Sequence, residues 1–175
     1  MSHLGMKILY GLVNARDDSW CERVFAPDSD MEELMRKNNV PLFALESGDY
    51  IKDFDIIGFT LQYELCYTNV LNMLDLAGIE LYSKDRTELT PLICCGGPCA
   101  CNPEPIVDFM DIVFLGDGEE STEEVLDLLK ECKKNGATKQ EFLQKAKDIR
   151  GIYVPSFYQD SYNDDGTLKE LKAIN

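Results

Sequence analysis

The chain has a single histidine, His3, in 175 residues. A His-rich zinc site, a two-His-one-carboxylate iron site and nucleophile–histidine catalysis therefore have no ligand set or base to draw on. Basic side chains are also few: 17 Lys and Arg stand against 32 Asp and Glu, a net charge of −15. That balance opposes attraction to nucleic acid or to an anionic membrane, and no basic cluster interrupts it. No apolar stretch approaches the ~20 residues of a spanning helix, and Met1–Gly5 lacks the charged opening of a signal peptide. Seven cysteines, an odd number crowded around Cys94, Cys95, Cys99 and Cys101, do not resemble an extracellular disulfide framework and suit a reducing compartment. A cytoplasmic location is expected. Demanding chemistry must come from a cofactor or from sequence outside this chain.

What is present suffices to fold. The length suits one domain of roughly 100–200 residues, and 45% hydrophobic with 28% charged residues is an ordinary globular composition. Leu4, Ile8, Leu9, Leu12 and Val13 recur at helical spacing and predict a helix ending near Asn14. Cys21–Ala26 reads as a short strand, with Trp20 anchoring the approach to it. Asp30, three residues before Glu33, predicts a capped helix through Asn38, and Pro41–Leu45 reads as extended. Phe54–Leu61 is apolar at successive positions, as in a parallel strand covered on both faces. Tyr67, Val70, Leu71, Leu74 and Ala77 then share one helical face, closed by Gly78.

The strand–helix pattern recurs. Leu92–Cys95 is a second strand, Gly96-Gly97-Pro98 a sharp loop, and Asn102-Pro103 a cap with proline at the first helical position. Asp111–Leu115 is a third strand, running through Gly116-Asp117-Gly118 into a helix with Val125, Leu128, Leu129 and Cys132 on one face. Ser121 with Glu124, and Thr138 with Glu141, have capping-box spacing. Gly151–Tyr158 and Thr167–Lys172 flank the turn signal Asn163-Asp164-Asp165-Gly166 and predict an appended antiparallel hairpin. Strands alternating with helices make an open α/β sheet with right-handed crossovers.

Ligands of such sheets sit beyond the carboxyl ends of the strands. Three loops fall there: Thr60–Tyr63, Gly96–Cys101 and Gly116–Glu120. A pocket is accordingly expected to be lined by Thr60, Leu61, Gln62, Gly96, Gly97, Pro98, Gly116 and Gly118. The plain alternative is that these glycines only turn the chain between strand and helix. Gly116–Glu120 is not a phosphate loop, since it lacks the Lys-Ser/Thr ending and carries three acids. Cys94, Cys95, Cys99 and Cys101 match neither zinc-ribbon nor common iron–sulfur spacing, and no metal site is expected. Cys94 and Cys95 should point to opposite faces of their strand. Cys99 is expected to be the most exposed thiol, whereas Cys21, Cys66 and Cys132 read as packing residues. Tyr63 and Glu64 read as rim, His3 as a helix-start residue, and Glu119, Glu120, Glu123 and Glu124 as acids favoured by a helix dipole rather than a catalytic pair.

The segments SHLGMKILYGLVN, FDIIGFTLQYELCYTNVLNMLDLAGI, LICCGGPCACNPEPIVDFMDIVFLGDGEES and IRGIYVPSFY, in this order and spacing, resemble the N-terminal region of a family of large radical SAM proteins with a cobalamin-binding-like domain. The resemblance implies a Rossmann-like or flavodoxin-like α/β domain: an open, mostly parallel sheet with helices on both faces, plus the C-terminal antiparallel hairpin. It also implies a downstream radical SAM domain whose three cysteines, in C-x-x-x-C-x-x-C spacing, hold a [4Fe–4S] cluster that cleaves S-adenosylmethionine. This chain lacks that motif, since Cys95-Gly-Gly-Pro-Cys99-Ala-Cys101 has only the first interval. Corrin-binding domains often show Ser/Thr-x-Leu after one strand and Gly-Gly after the next. Here Thr60-Leu61 lacks the intervening residue, while Gly96-Gly97 fits. The Asp-x-His-x-x-Gly motif for histidine ligation of cobalt is not matched by Met1-Ser2-His3-Leu4-Gly5.

The expectation is a noncatalytic fragment: the cobalamin-binding-like domain, residues 1–150, of a radical SAM iron–sulfur oxidoreductase or transferase, with residues 151–175 leading towards the catalytic domain. Its partner is the radical SAM domain of the same parent chain. In the family a strand precedes the helix that begins near Ser2, so self-association through an exposed strand and weakened corrin binding are expected without it. Two rivals stand beside this reading. One is a docking or substrate-positioning module that takes no cobalamin; the other is a small flavodoxin-like enzyme using Cys99 as nucleophile.

Overall fold

Alternating apolar strands and amphipathic helices close into two cores, one on each face of a sheet. The computed structural model describes residues 3–174, so the predicted helix start near Ser2 lies outside the described residues. Four strands, β1 (Ile56–Thr60), β2 (Leu92–Gly96), β3 (Ile112–Phe114) and β4 (Ile152–Tyr153), lie in the order β1-β2-β3-β4. The first three are parallel, and β4 runs antiparallel to β3 with Val113 opposite Tyr153. Along β2 the side chains alternate: Ile93 and Cys95 enter one core, Leu92 and Cys94 the other. Cys94 and Cys95 thus take opposite faces, as their strand position predicts. The expected α/β class with a mostly parallel sheet is what the chain forms.

Helices α2 (Ser29–Asn38), α3 (Tyr67–Ala77), α4 (Glu119–Asn135) and α5 (Lys139–Ala146) supply the covering layers, while α1 (Leu4–Asn14) lies outside them against α4 and buries no residue. Val70, Met73 and Leu74 of α3, with Met35 of α2, pack on the Ile93 side. Val125, Leu129 and Cys132 of α4, with Phe142 and Leu143 of α5, pack on the other. Gly78 ends α3 in the left-handed conformation that glycine adopts without steric cost. The reciprocal Thr138–Glu141 capping box starts α5. Helix α1 spans the predicted residues, with His3 as its N-cap, the Nδ1 accepting from Met6 N at 3.0 Å.

Several local expectations are corrected. Cys21–Ala26 forms no regular element and belongs to no sheet. Side-chain acceptors satisfy its backbone instead: Asn14 Oδ1 takes Cys21 N at 3.0 Å and Glu46 Oε2 takes Arg23 N at 2.9 Å. Trp20 is no anchor, being 72% exposed. Asp28 rather than Asp30 caps α2. Asn102-Pro103 opens no α-helix, because Glu104 precedes Pro105 and is biased away from helical backbone; only a short 3-10 turn forms at Val107–Phe109. Ser121 lies inside α4 and donates back to the Gly118 carbonyl at 3.4 Å, so it is not the cap. The hairpin pairs β5 (Tyr158–Tyr162) with β6 (Leu168–Ala173) as a separate two-stranded sheet, while Ile152–Tyr153 joins the main one.

A buried ionic group at the amino ends of β2 and β3 was not foreseen. Asp111, with a wholly buried side chain, accepts from Ser83 Oγ at 2.5 Å, Arg86 Nη2 at 3.0 Å and Ile93 N at 2.7 Å, and pairs with Lys139 Nζ at 2.6 Å. Burial pushes the Lys139 ammonium down from its ordinary value, opposed by the adjacent carboxylate. Removing one partner strands the others without compensation. Asp111→Asn is therefore expected to lower the unfolding free energy by about 3–5 kcal/mol in urea titration, whereas Asp127→Asn, in an exposed pair with Arg16, leaves the midpoint nearly unchanged.

Candidate functional site

The three predicted loops all leave the carboxyl ends of β1, β2 and β3, which are parallel neighbours, so the topology brings them to one end of the sheet. The first two are fastened together by backbone. Leu61 N donates to Gly96 O at 2.7 Å, and Cys99 N donates to Leu61 O at 3.1 Å. The Leu61 side chain is fully buried in the core, so only its backbone faces the loops. Gly97 has φ 102°, and a Cβ there would stand 2.9 Å from Leu61 O and 3.3 Å from Gln62 Nε2. The space beside this glycine is therefore filled by the neighbouring loop.

The polar side chains are similarly occupied. Gln62 Nε2 donates to Thr60 Oγ1 at 2.7 Å. Gly116, at φ 92°, faces open space, and Gly118 precedes α4 with Leu9 of α1 near its α-carbon. Pro98 and Gly97 are exposed, and Gly96 is half-buried under Phe114. Around this end Tyr63, Leu65 and Leu115 present apolar side chains to solvent. Tyr63 and Glu64 are exposed, in keeping with a rim. Two shallow cavities, of 430 and 270 Å³, lie at the α4–α5 turn and at the end of α3; neither touches the three loops.

Cysteines crowd one side of the site. Cys66 and Cys99 are partly buried against the core that contains Cys95. Cys101, not Cys99, is the exposed thiol of this group, because the turn Pro98–Cys101 tucks Cys99 beneath Leu61 O. Burial pushes the Cys99 thiol up, and Glu64 adds to the effect. Cys95 is pushed up to about 12, chiefly by burial. A nucleophilic cysteine needs the opposite shift. Among the described residues, no group of three or more His, Cys, Asp or Glu side chains is placed to hold a metal ion, nor is any helix long and apolar enough to cross a membrane.

A family model described as the N-terminal region of radical SAM proteins matches residues 5–155. The chain belongs to this family. An uncharacterised protein of Methanocaldococcus jannaschii is 32% identical over 130 residues, which make up 73% of this chain and 27% of that protein. The chain thus spans well under half the length of that curated relative. No solved structure matches it. The radical SAM match covers α1 from its second residue, the four-stranded sheet and all three loops, so the site just described lies within the family's N-terminal region.

The loop geometry sets two expectations. Gly97→Ala meets both a left-handed backbone and the Leu61 carbonyl and should cost about 1–3 kcal/mol. Gly116→Ala meets only the backbone preference and should cost about 1–2 kcal/mol; thermal unfolding of the two variants compares them. Iodoacetamide at neutral pH, followed by peptide mass mapping, should label Cys101 first and Cys99 more slowly, with Cys94 and Cys95 labelled only after denaturation.

Proposed function

We propose that this chain is a noncatalytic N-terminal domain of a radical SAM iron–sulfur oxidoreductase or transferase, and that it serves as a docking or substrate-positioning module without binding corrin. The observation that carries the second part is Gly97. A Cβ at Gly97 would meet the Leu61 backbone, so the neighbouring loop alone accounts for this glycine and no cofactor is needed to explain it. The remaining residues agree. Thr60 and Gln62 bond to each other, and His3 spends its Nδ1 on the α1 cap. These groups do not fit a corrin cradle, although the fold is of the type the family resemblance implies.

The chemistry is assigned to the partner domain in the parent chain. There a [4Fe–4S] cluster and S-adenosylmethionine would supply the radical. The present residues contribute a rigid platform: loops closed on one another by backbone hydrogen bonds, with an apolar surface around Tyr63, Leu65 and Leu115. The raised Cys99 thiol speaks against the small thiol enzyme.

Two measurements test this. Hydroxocobalamin titrated into the chain should give no saturable absorbance change; stoichiometric binding lost in Gly97→Val would overturn the corrin-free reading. Elemental analysis of the purified chain should find neither iron nor zinc in stoichiometric amount, whereas the parent protein, reconstituted anaerobically with iron and sulfide, should hold a cluster and cleave S-adenosylmethionine. A parent with no cluster after reconstitution would refute the family-based assignment of chemistry.

A further inference from the structure

The β5–β6 hairpin is a two-stranded sheet, a unit that is at best marginally stable in water without something packed against it. Its base is secured. Phe157 is buried, Ile174 N donates to Phe157 O at 2.9 Å, and the Tyr153 and Tyr158 rings meet at 5.0 Å. Beyond that base the strands project, and every residue of both is exposed.

The pairing sorts their side chains. Tyr158 lies opposite Ala173, Asp160 opposite Leu171, and Tyr162 opposite Leu168, the last after an irregularity that leaves Lys169 as the extra residue. Opposed residues of antiparallel strands project from the same face. One face therefore gathers Tyr158, Tyr162, Leu168, Leu171 and Ala173 around Asp160, and the other holds Gln159, Ser161, Glu170 and Lys172. A hairpin made for solvent on both sides has no use for that division. The larger apolar side chains on the first face remain uncovered, with Tyr162 60% and Leu168 56% exposed.

Two observations say what covers it. The family match ends at residue 155, so the hairpin is the first element beyond the N-terminal region, and only 27% of the M. jannaschii relative is matched, which leaves most of that protein outside. The rim is also acidic. Asp160 lies within the face, beside the Tyr162 phenol, and Glu104 and Asp108 lie near it; these acids push the phenol up from its ordinary value, and Tyr153 donates to Glu104 at 3.0 Å. A second copy, itself carrying −15 and the same acidic rim, would be repelled.

We propose that the apolar face of the β5–β6 hairpin is the seat of the radical SAM domain of the same parent protein, which meets it with an apolar patch ringed by Arg and Lys side chains. This inference rests on the reading of the chain as an N-terminal domain of such a protein.

Hydrogen–deuterium exchange of residues 158–173, in this chain alone and in the full-length parent, tests it. The amides should exchange at least about ten-fold more slowly in the parent. Leu171→Lys in the parent should restore fast exchange. Leu171→Thr, which keeps strand propensity, should do the same in part, and Lys172→Glu on the polar face should leave protection intact. Equal exchange in the isolated chain and the parent would overturn the proposal. So would protection of the isolated chain that grows with concentration, which would assign the face to a second copy. Iron content of the reconstituted parent reads the functional assignment separately: a protected hairpin in a cluster-free parent would retain docking but overturn the identity of the occupant.

Discussion

The carboxylate of Asp111 is the constraint on which the rest of the molecule depends. It lies at the amino end of β3 with no solvent exposure of its side chain, and it accepts hydrogen bonds from a hydroxyl, a guanidinium and a backbone N–H while pairing with an ammonium. The four donors come from three parts of the chain. Ser83 and Arg86 belong to the connection after α3, Ile93 to β2 and Lys139 to the start of α5. Arg86 extends the group further by donating to the carbonyls of Glu80, Leu81 and Phe109, and Lys139 donates to the carbonyls of Ser83 and Arg86. A connection with little regular structure is thereby held against the sheet and against the helix layer on its far side. A charge buried this deeply is tolerated only when it is fully partnered. The group therefore specifies one arrangement of those elements rather than several.

The two ends of the sheet do different work. The amino end is locked by charge, and the carboxyl end by backbone closure between the Leu61 and Gly96 loops. That second closure ties together two of the three loops between which the topology would place a ligand. The same doubly wound logic that locates cofactors in open sheets locates this end of the sheet, where a Cβ at Gly97 would meet the neighbouring loop. Loops with glycine after parallel strands are thus evidence for where a site would be, and the atoms beside the glycine decide whether a ligand can use it.

Most regular elements were legible because their signals are local. The helical spacing from Leu4 to Val13, the Gly78 stop, the Thr138–Glu141 box and the unbroken apolar runs of β1, β2 and β3 each carry their own cause. The misread elements depended on partners distant in sequence. Cys21–Ala26 has strand-like residues, but the acceptors Asn14 and Glu46 reach its amides before any strand does. Trp20 is large and apolar, yet no element is positioned to cover it. The Asp111 group was visible only as an acid framed by Met110 and Ile112. A carboxylate adjoining a buried strand is a signal, but its partners 25 and 28 residues away in sequence cannot be named from it. At the site, the position of the loops followed from topology, whereas the burial of Leu61 and the mutual bonding of Thr60 and Gln62 are matters of packing that spacing does not encode.

Among the described residues β1 pairs only with β2, leaving its outer edge without a strand partner, and Ile56–Thr60 contains neither a charge nor a proline to blunt it. The like charge of whole molecules, −15 each, opposes the meeting of two such edges. That repulsion reaches about 30 Å at 0.01 M ionic strength but only about 3 Å at 1 M. Ionic strength thereby becomes the control on colloidal behaviour. A dilute buffer preserves that repulsion, while a concentrated salt, often added to hold proteins in solution, weakens it at this edge.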